Sequence, residues 1–155
     1  KSDGDAVSTA RQREAPLGDF WRGFDWPALG RISGIYGSQR ILNGQPRQPH
    51  YGIDIAAPTG TPVYAPASGL VTLVKDLYFS GWTVLIAHGL GVNSSFLHFD
   101  RVDVETGMII ERGGLIGKIG ATGRATGPHL DWRIDWQGRR IDPGLLVGAM
   151  PDPAT

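Results

Sequence analysis

The sequence predicts a mainly β fold, and three features of the chain carry that reading. From Ile32 onward, glycine and proline recur every few residues between short apolar runs. No stretch keeps a 3.6-residue apolar period for three turns. The segment from His129 to Trp136 alternates polar and apolar side chains along its whole length.

Composition narrows the function classes. A chain of 155 residues with 41% hydrophobic and 19% charged side chains suffices for one buried core. Fifteen basic and fifteen acidic residues cancel, so there is no sequence-independent attraction to nucleic acid or anionic lipid, and no nucleic-acid partner is expected. The absence of cysteine removes disulfides, thiol catalysis and Cys-ligated zinc, leaving any metal to nitrogen and oxygen donors. No run approaches the ~20 apolar residues of a spanning helix. The opening Lys1-Ser2-Asp3-Gly4-Asp5 has no signal-peptide core, so membrane attachment is expected only through an anchor outside these residues.

Residues 1–19 are polar and aperiodic, and are read as a linker or disordered N-terminal segment whose composition does not repay ordering entropy. The domain is expected over 20–150, with 151–155 as a tail. Strands are expected at Pro62 to Tyr64, Gly69 to Lys75, Thr83 to His88, Ser94 to His98, Leu115 to Ile119 and His129 to Trp136. In the last, His129, Asp131, Arg133 and Asp135 share one face, while Leu130, Trp132, Ile134 and Trp136 share the other. Trp132 and Trp136 are expected in the core. Arg133, Asp135, Arg139, Arg140 and Asp142 are expected to form a solvated, mutually paired surface. Thr59-Gly60-Thr61-Pro62-Val63 and Thr106-Gly107-Met108-Ile109-Ile110 echo each other, suggesting two similar turns in one sheet system.

All four histidines fall between residues 50 and 129. His50 and Asp54 are four apart, but Gly52 between them and Ala57-Pro58-Thr59-Gly60 after them forbid a helix. A straight strand would separate their Cα atoms by about 13 Å, near the limit for sharing a metal with ~2 Å bonds. A bend at Gly52 would close that gap, and a plain loop hydrogen bond serves this pair equally well. His129 and Asp131, two apart on one strand face, lie about 6.6 Å apart at Cα and address a common point. His88 and His98 each end an apolar run, where a hydrogen-bonded structural histidine is the ordinary reading.

Together these segments resemble the lysostaphin-type, or LytM-like, zinc metallopeptidases that cut peptide bonds in bacterial cell walls. The resemblance runs from about Gly30 to Leu146. It rests on Gly34-Ile35-Tyr36-Gly37, His50-Tyr51-Gly52-Ile53-Asp54-Ile55, Ala57-Pro58-Thr59-Gly60-Thr61-Pro62-Val63, Ala65-Pro66-Ala67-Ser68-Gly69, His88-Gly89, Phe96-Leu97-His98-Phe99, and the run from Gly120 to Leu130. It implies an antiparallel β-sheet or sandwich of the duplicated hybrid motif type with a substrate groove. It further implies zinc held by His50, Asp54 and the last residue of a His-x-His motif, with His98 and His129 activating water and stabilising the oxyanion. That motif reads His129-Leu130-Asp131 here, so Asp131 stands at the third ligand. A site of one His and two Asp still suits Zn2+, and its harder oxygen donors also admit Mn2+. The extra anion would weaken the Lewis acidity of the bound cation.

The implied activity is a periplasmic or extracellular zinc endopeptidase acting on peptidoglycan stem peptides or cross-bridges. The alternative is a catalytically inactive module of the same fold that binds cell wall or activates another wall hydrolase, with a cell-wall amidase or divisome partner. A biotinyl- or lipoyl-like carrier ranks far lower, because neither Lys75 nor Lys118 sits in a recognisable hairpin acceptor motif.

Overall fold

The computed structural model describes residues 2–38, 40–42, 44–47 and 50–151. One helix, α1 (Ser2–Gln12), precedes twelve strands: β1 (Arg31–Gly34), β2 (Arg40–Leu42), β3 (Gln45–Arg47), β4 (Ile53–Ala56), β5 (Pro62–Tyr64), β6 (Gly69–Leu77), β7 (Gly81–Gly89), β8 (Val92–Val102), β9 (Ile109–Ile110), β10 (Leu115–Ile119), β11 (His129–Trp136) and β12 (Arg139–Ile141). Ten of them form one sheet in the order β1-β4-β11-β8-β7-β6-β9, with β10 joined to β8 and β5, and β12 joined to β11. β2 and β3 form a separate hairpin. Every strand pairing among the described residues is antiparallel.

The six strands expected from alternation and β-branched content are all present. β6, β7 and β8 are the longest and run beyond the expected limits. The strands that alternation did not reveal, β1, β4, β9, β12 and the β2–β3 hairpin, have two to four residues each, too few to show a period. Two-residue turns fix the register of the central hairpins. Leu90 and Gly91 join β7 to β8 at φ 54° and 77°, and Gln137 and Gly138 join β11 to β12 at φ 49° and 81°. Paired positive φ values match the right-handed twist of the flanking strands. The echoed Thr-Gly segments are two alike turns in the large sheet, with Gly60 at φ 96° and Gly107 at φ 97°.

The core is packed from β4 to β11 around Phe96, Phe99, Ile116, Leu130, Trp132 and Ile134, each no more than 1% exposed. Trp132 is a core residue as expected, but Trp136 is 45% exposed. It lies on the apolar face by alternation, yet the strand reaches the Gln137–Gly138 turn there and leaves the packed layer. His88 is fully buried, donating from Nδ1 to the Ser68 carbonyl and accepting at Nε2 from Ser94 Oγ, both at 2.8 Å. It is a structural histidine, and burial drives its pKa down to about 4.

The N-terminal segment departs from the linker expectation. Ser2–Gln12 are helical, and tertiary contacts hold the helix where its composition would not. Ala10 is buried, Asp3 accepts from the Tyr78 amide at 3.0 Å, and Arg11 pairs with Asp135 at 3.4 Å. Asp19 accepts from the Ser68 amide at 2.8 Å and pairs with Arg112 at 3.1 Å. The tail, apart from Pro151, lies outside the described residues. No described helix is long and apolar enough to cross a membrane.

Candidate metal centre

Strand register builds the centre. Asp131, in the middle of β11, stands opposite Asp54 on β4 and opposite Leu97 on β8. Directly opposed residues of antiparallel strands share a face, and like charges placed so repel. The cation that faces them is His50, brought there by the bend at Gly52. The bend needs glycine, since a Cβ on residue 52 would lie 2.5 Å from Asp131 Oδ1 and 2.7 Å from both Arg133 Cγ and the Trp132 carbonyl. Gly34 on β1 gives Asp54 the same room, because a Cβ there would lie 2.6 Å from Asp54 Oδ2.

His50 is 2% exposed and fixed at three points. Its amide donates to Ser38 O at 3.0 Å, its carbonyl accepts from the Gly37 amide at 2.6 Å, and its Nδ1–H donates to Ile35 O at 3.3 Å. A carbonyl only accepts, so Nδ1 carries a proton and Nε2 is the nitrogen turned toward the carboxylates. Nε2 lies 3.2 Å from Asp54 Oδ1 and 3.5 Å from Asp131 Oδ2, but neither contact is aligned as a hydrogen bond, and this buried nitrogen has no such partner. Burial alone would depress its pKa, but the carboxylates of Asp131 and Asp54 raise it to about 9. The potential that holds a proton on this ring would hold a metal cation in its place.

One ligand atom from each of His50, Asp54 and Asp131 lies within 4.8 Å of the others, with His50 and Asp131 buried. The set fits a metal. An imidazole nitrogen and two carboxylate oxygens are zinc donors and also suit manganese. An orphaned buried Nε2 is accounted for if a cation sits against it.

His98 and His129 complete the same groove, a cavity of about 640 Å³ also lined by Asp54, Asp131 and Arg133. Their rings are 4.8 Å apart. His98 Nδ1–H donates to Thr122 O at 2.7 Å, and His129 Nδ1–H donates to Gly127 O at 2.9 Å, so each presents Nε2 as the free, basic nitrogen. His129 Nε2 lies 3.8 Å from Asp54 Oδ1. Burial lowers the pKa of His98, with the neighbouring His129 adding to the effect and the Thr122 hydrogen bond opposing it. His98 has φ 71°, at a register shift where Trp82 pairs with Phe99 but Val84 with Phe96. This bulge in β8 turns the imidazole out of the alternation.

Of the five residues singled out from the sequence, Asp54, His98, His129 and Asp131 line one groove, and His50 lies buried against Asp54 and Asp131. His88 does neither. The sequence reading missed Thr122, whose carbonyl orients His98 and whose hydroxyl donates to Phe99 O at 2.7 Å. It also read Arg133 and Asp135 as solvated surface. Arg133 instead binds both oxygens of Asp131, with Nη2 to Oδ2 at 2.8 Å and Nε to Oδ1 at 3.1 Å. Asp135 is 5% exposed and held by Arg11 and Asn93. The two-residue spacing of Asp131 and Arg133 on one strand face was the available signal. The N-terminal helix borders the groove as well, through Val7 and Arg11.

Residues 48–143 match the model of peptidase family M23. Among curated proteins, the peptidoglycan DD-endopeptidase ShyA of Vibrio cholerae serotype O1 is 35% identical over 141 residues, 90% of this chain and 30% of ShyA. The DD-carboxypeptidase/endopeptidase Mpg of Neisseria meningitidis is 40% identical over 105 residues, 67% of this chain and 24% of Mpg. The chain thus spans less than a third of either relative. Among solved structures, a zinc-containing peptidase from Vibrio cholerae superposes with a TM-score of 0.74 at 31% identity, over 84% of this chain and 41% of that one. The catalytic domain of lysostaphin from Staphylococcus simulans does so with a TM-score of 0.66 at 26% identity, over 75% of this chain and 90% of that one.

Proposed function

The chain belongs to peptidase family M23, and on that premise we propose that it is a zinc-dependent endopeptidase of the cell envelope, hydrolysing peptide bonds in peptidoglycan stem peptides or cross-bridges. The observation that carries the reading is the convergence of His50, Asp54 and Asp131 within 4.8 Å, where Asp54 and Asp131 line a groove together with His98 and His129. The named activity of ShyA supports peptidoglycan as the substrate class.

His50, Asp54 and Asp131 would hold the metal, which when bound supplies a Lewis acid for the scissile carbonyl and lowers the pKa of a coordinated water. His98, kept neutral by burial, accepts a proton at Nε2 while its Nδ1–H stays on Thr122 O. His98 then returns that proton to the leaving amine, while His129, held by Gly127 O, faces the same space and in its imidazolium form donates from Nε2 to the developing oxyanion. Fixing both rings through backbone carbonyls keeps their basic nitrogens in place without reorganisation during the reaction.

Incubation of zinc-loaded protein with cross-linked muropeptides, read by mass spectrometry, tests the proposal. Separation of the cross-linked dimer into monomers by wild type, and not by His50→Ala, is expected. Intact dimers with both proteins would overturn it. The second reading, an inactive module that binds wall or activates another hydrolase, has one observation on its side: both oxygens of Asp131 accept from Arg133. It predicts wall binding without cleavage and without metal.

A further inference from the structure

We propose that Arg133 is the charge-balancing residue of the metal centre: its guanidinium offsets the carboxylate of Asp131, so that the third position supplies an oxygen donor with little net charge. The proposal rests on the metal-dependent reading above.

Arg133 meets Asp131 in a bidentate fork at 2.8 and 3.1 Å, the geometry in which a guanidinium best matches a carboxylate. The Asp131 side chain is 3% exposed and the Arg133 side chain 30% exposed, so the carboxylate is buried while the guanidinium that holds it reaches the wall of the groove. Asp131 Oδ2 accepts from Arg133 and still lies 3.5 Å from His50 Nε2. A carboxylate oxygen carries two lone pairs, so Oδ2 can accept from Arg133 and keep one for a cation. The Arg133 stem passes Gly52 so closely that a Cβ there would meet its Cγ at 2.7 Å. The residue that lets His50 turn toward the site therefore also admits the stem of the compensating cation.

The charge count gives the reason. His50, Asp54 and Asp131 bring two negative charges to a divalent cation, enough to neutralise it and dull its Lewis acidity. Arg133 reduces that to one. The offset has a sign that experiment reads directly: a guanidinium beside the site repels the dication, so its removal tightens metal binding while slowing the chemistry. Arg133 is a positioning residue, acting on the metal through Asp131.

Zinc affinity of the full chain, measured by competition with a chromophoric chelator for wild type, R133M, R133K and R133Q, tests this. R133M and R133Q are expected to bind zinc at least about tenfold more tightly than wild type, with R133K within about threefold because it retains the charge. Turnover of cross-linked muropeptides should fall in R133M at unchanged KM. A purely structural role predicts the opposite order, since an Asp131 without its holder would weaken zinc in all three variants. Unchanged or weaker zinc binding in R133M and R133Q overturns the proposal. Should wild type bind zinc but cleave nothing, the endopeptidase reading fails while the affinity series still decides the role of Arg133. Should no protein bind zinc, both fail.

Discussion

Asp54 on β4 and Asp131 on β11 are directly opposed in register, and His50 Nε2 lies 3.2 Å from one and 3.5 Å from the other. Two carboxylates on one face of adjacent strands are a poor choice for a sheet unless a cation is held between them. Asp54→Ala is therefore expected to weaken zinc binding by at least about a hundredfold, because it removes one of three donors and one of the two carboxylates that attract the cation. Isothermal titration of wild type and variant measures this, with circular dichroism as the control for folding.

On the proposed mechanism His98 and His129 move protons, so His98→Ala and His129→Ala should each lower kcat by about 10²- to 10⁴-fold. Zinc stoichiometry should stay at the wild-type level in both. Loss of zinc in either variant would mean that the imidazole is a ligand and that its role has been misassigned.

A single methyl group at residue 52 should disturb both the bend and the centre. Gly52→Ala places a Cβ 2.5 Å from Asp131 Oδ1 and 2.7 Å from the backbone oxygen of Trp132, and the backbone side of that clash has nowhere to move. A destabilisation of about 1–3 kcal/mol is expected in urea denaturation, accompanied by weaker zinc binding. Gly107→Ala offers the contrast: it meets nothing within 4 Å, and its cost should come only from φ 97°.

Buried His88 should make the fold acid-sensitive. Its pKa falls from 6.5 to about 4 on folding, so between those values the unfolded chain binds the additional proton. Its contribution is therefore complete above pH 6.5 and is lost as the pH falls to 4, a difference of about 3 kcal/mol. Urea midpoints from pH 7 to pH 4 should decline accordingly, and the His88 ring should titrate near pH 4 by NMR.

Most of the fold was legible because its long strands carry their period in the side chains. β11 is the clearest case, with Leu130, Trp132 and Ile134 buried and His129 and Arg133 half-buried on the other face. The exposed Trp136 shows the limit of periodicity, which assigns a face but not where the core ends. The helix Ser2–Gln12 was illegible for a different reason: its stabilising partners, Asp135, Tyr78 and Lys75, are remote in sequence. That His50, Asp54 and Asp131 lie together, with His98 and His129 nearby, was legible through the family resemblance, and the bend at Gly52 followed from the reach a shared ligand would require. The Arg133 fork was not, because a charged residue on a strand face reads as solvated until its partner is seen to be buried. Nor was the bulge that aims His98, which depends on the pairing of β7 with β8 rather than on any local signal.

The most direct measurement is the metal content, by elemental analysis, of protein purified without chelator beside its His50→Ala variant. About one zinc per chain in wild type and none in the variant is the predicted result. An empty wild type, or zinc retained without His50, would contradict a centre built from His50, Asp54 and Asp131.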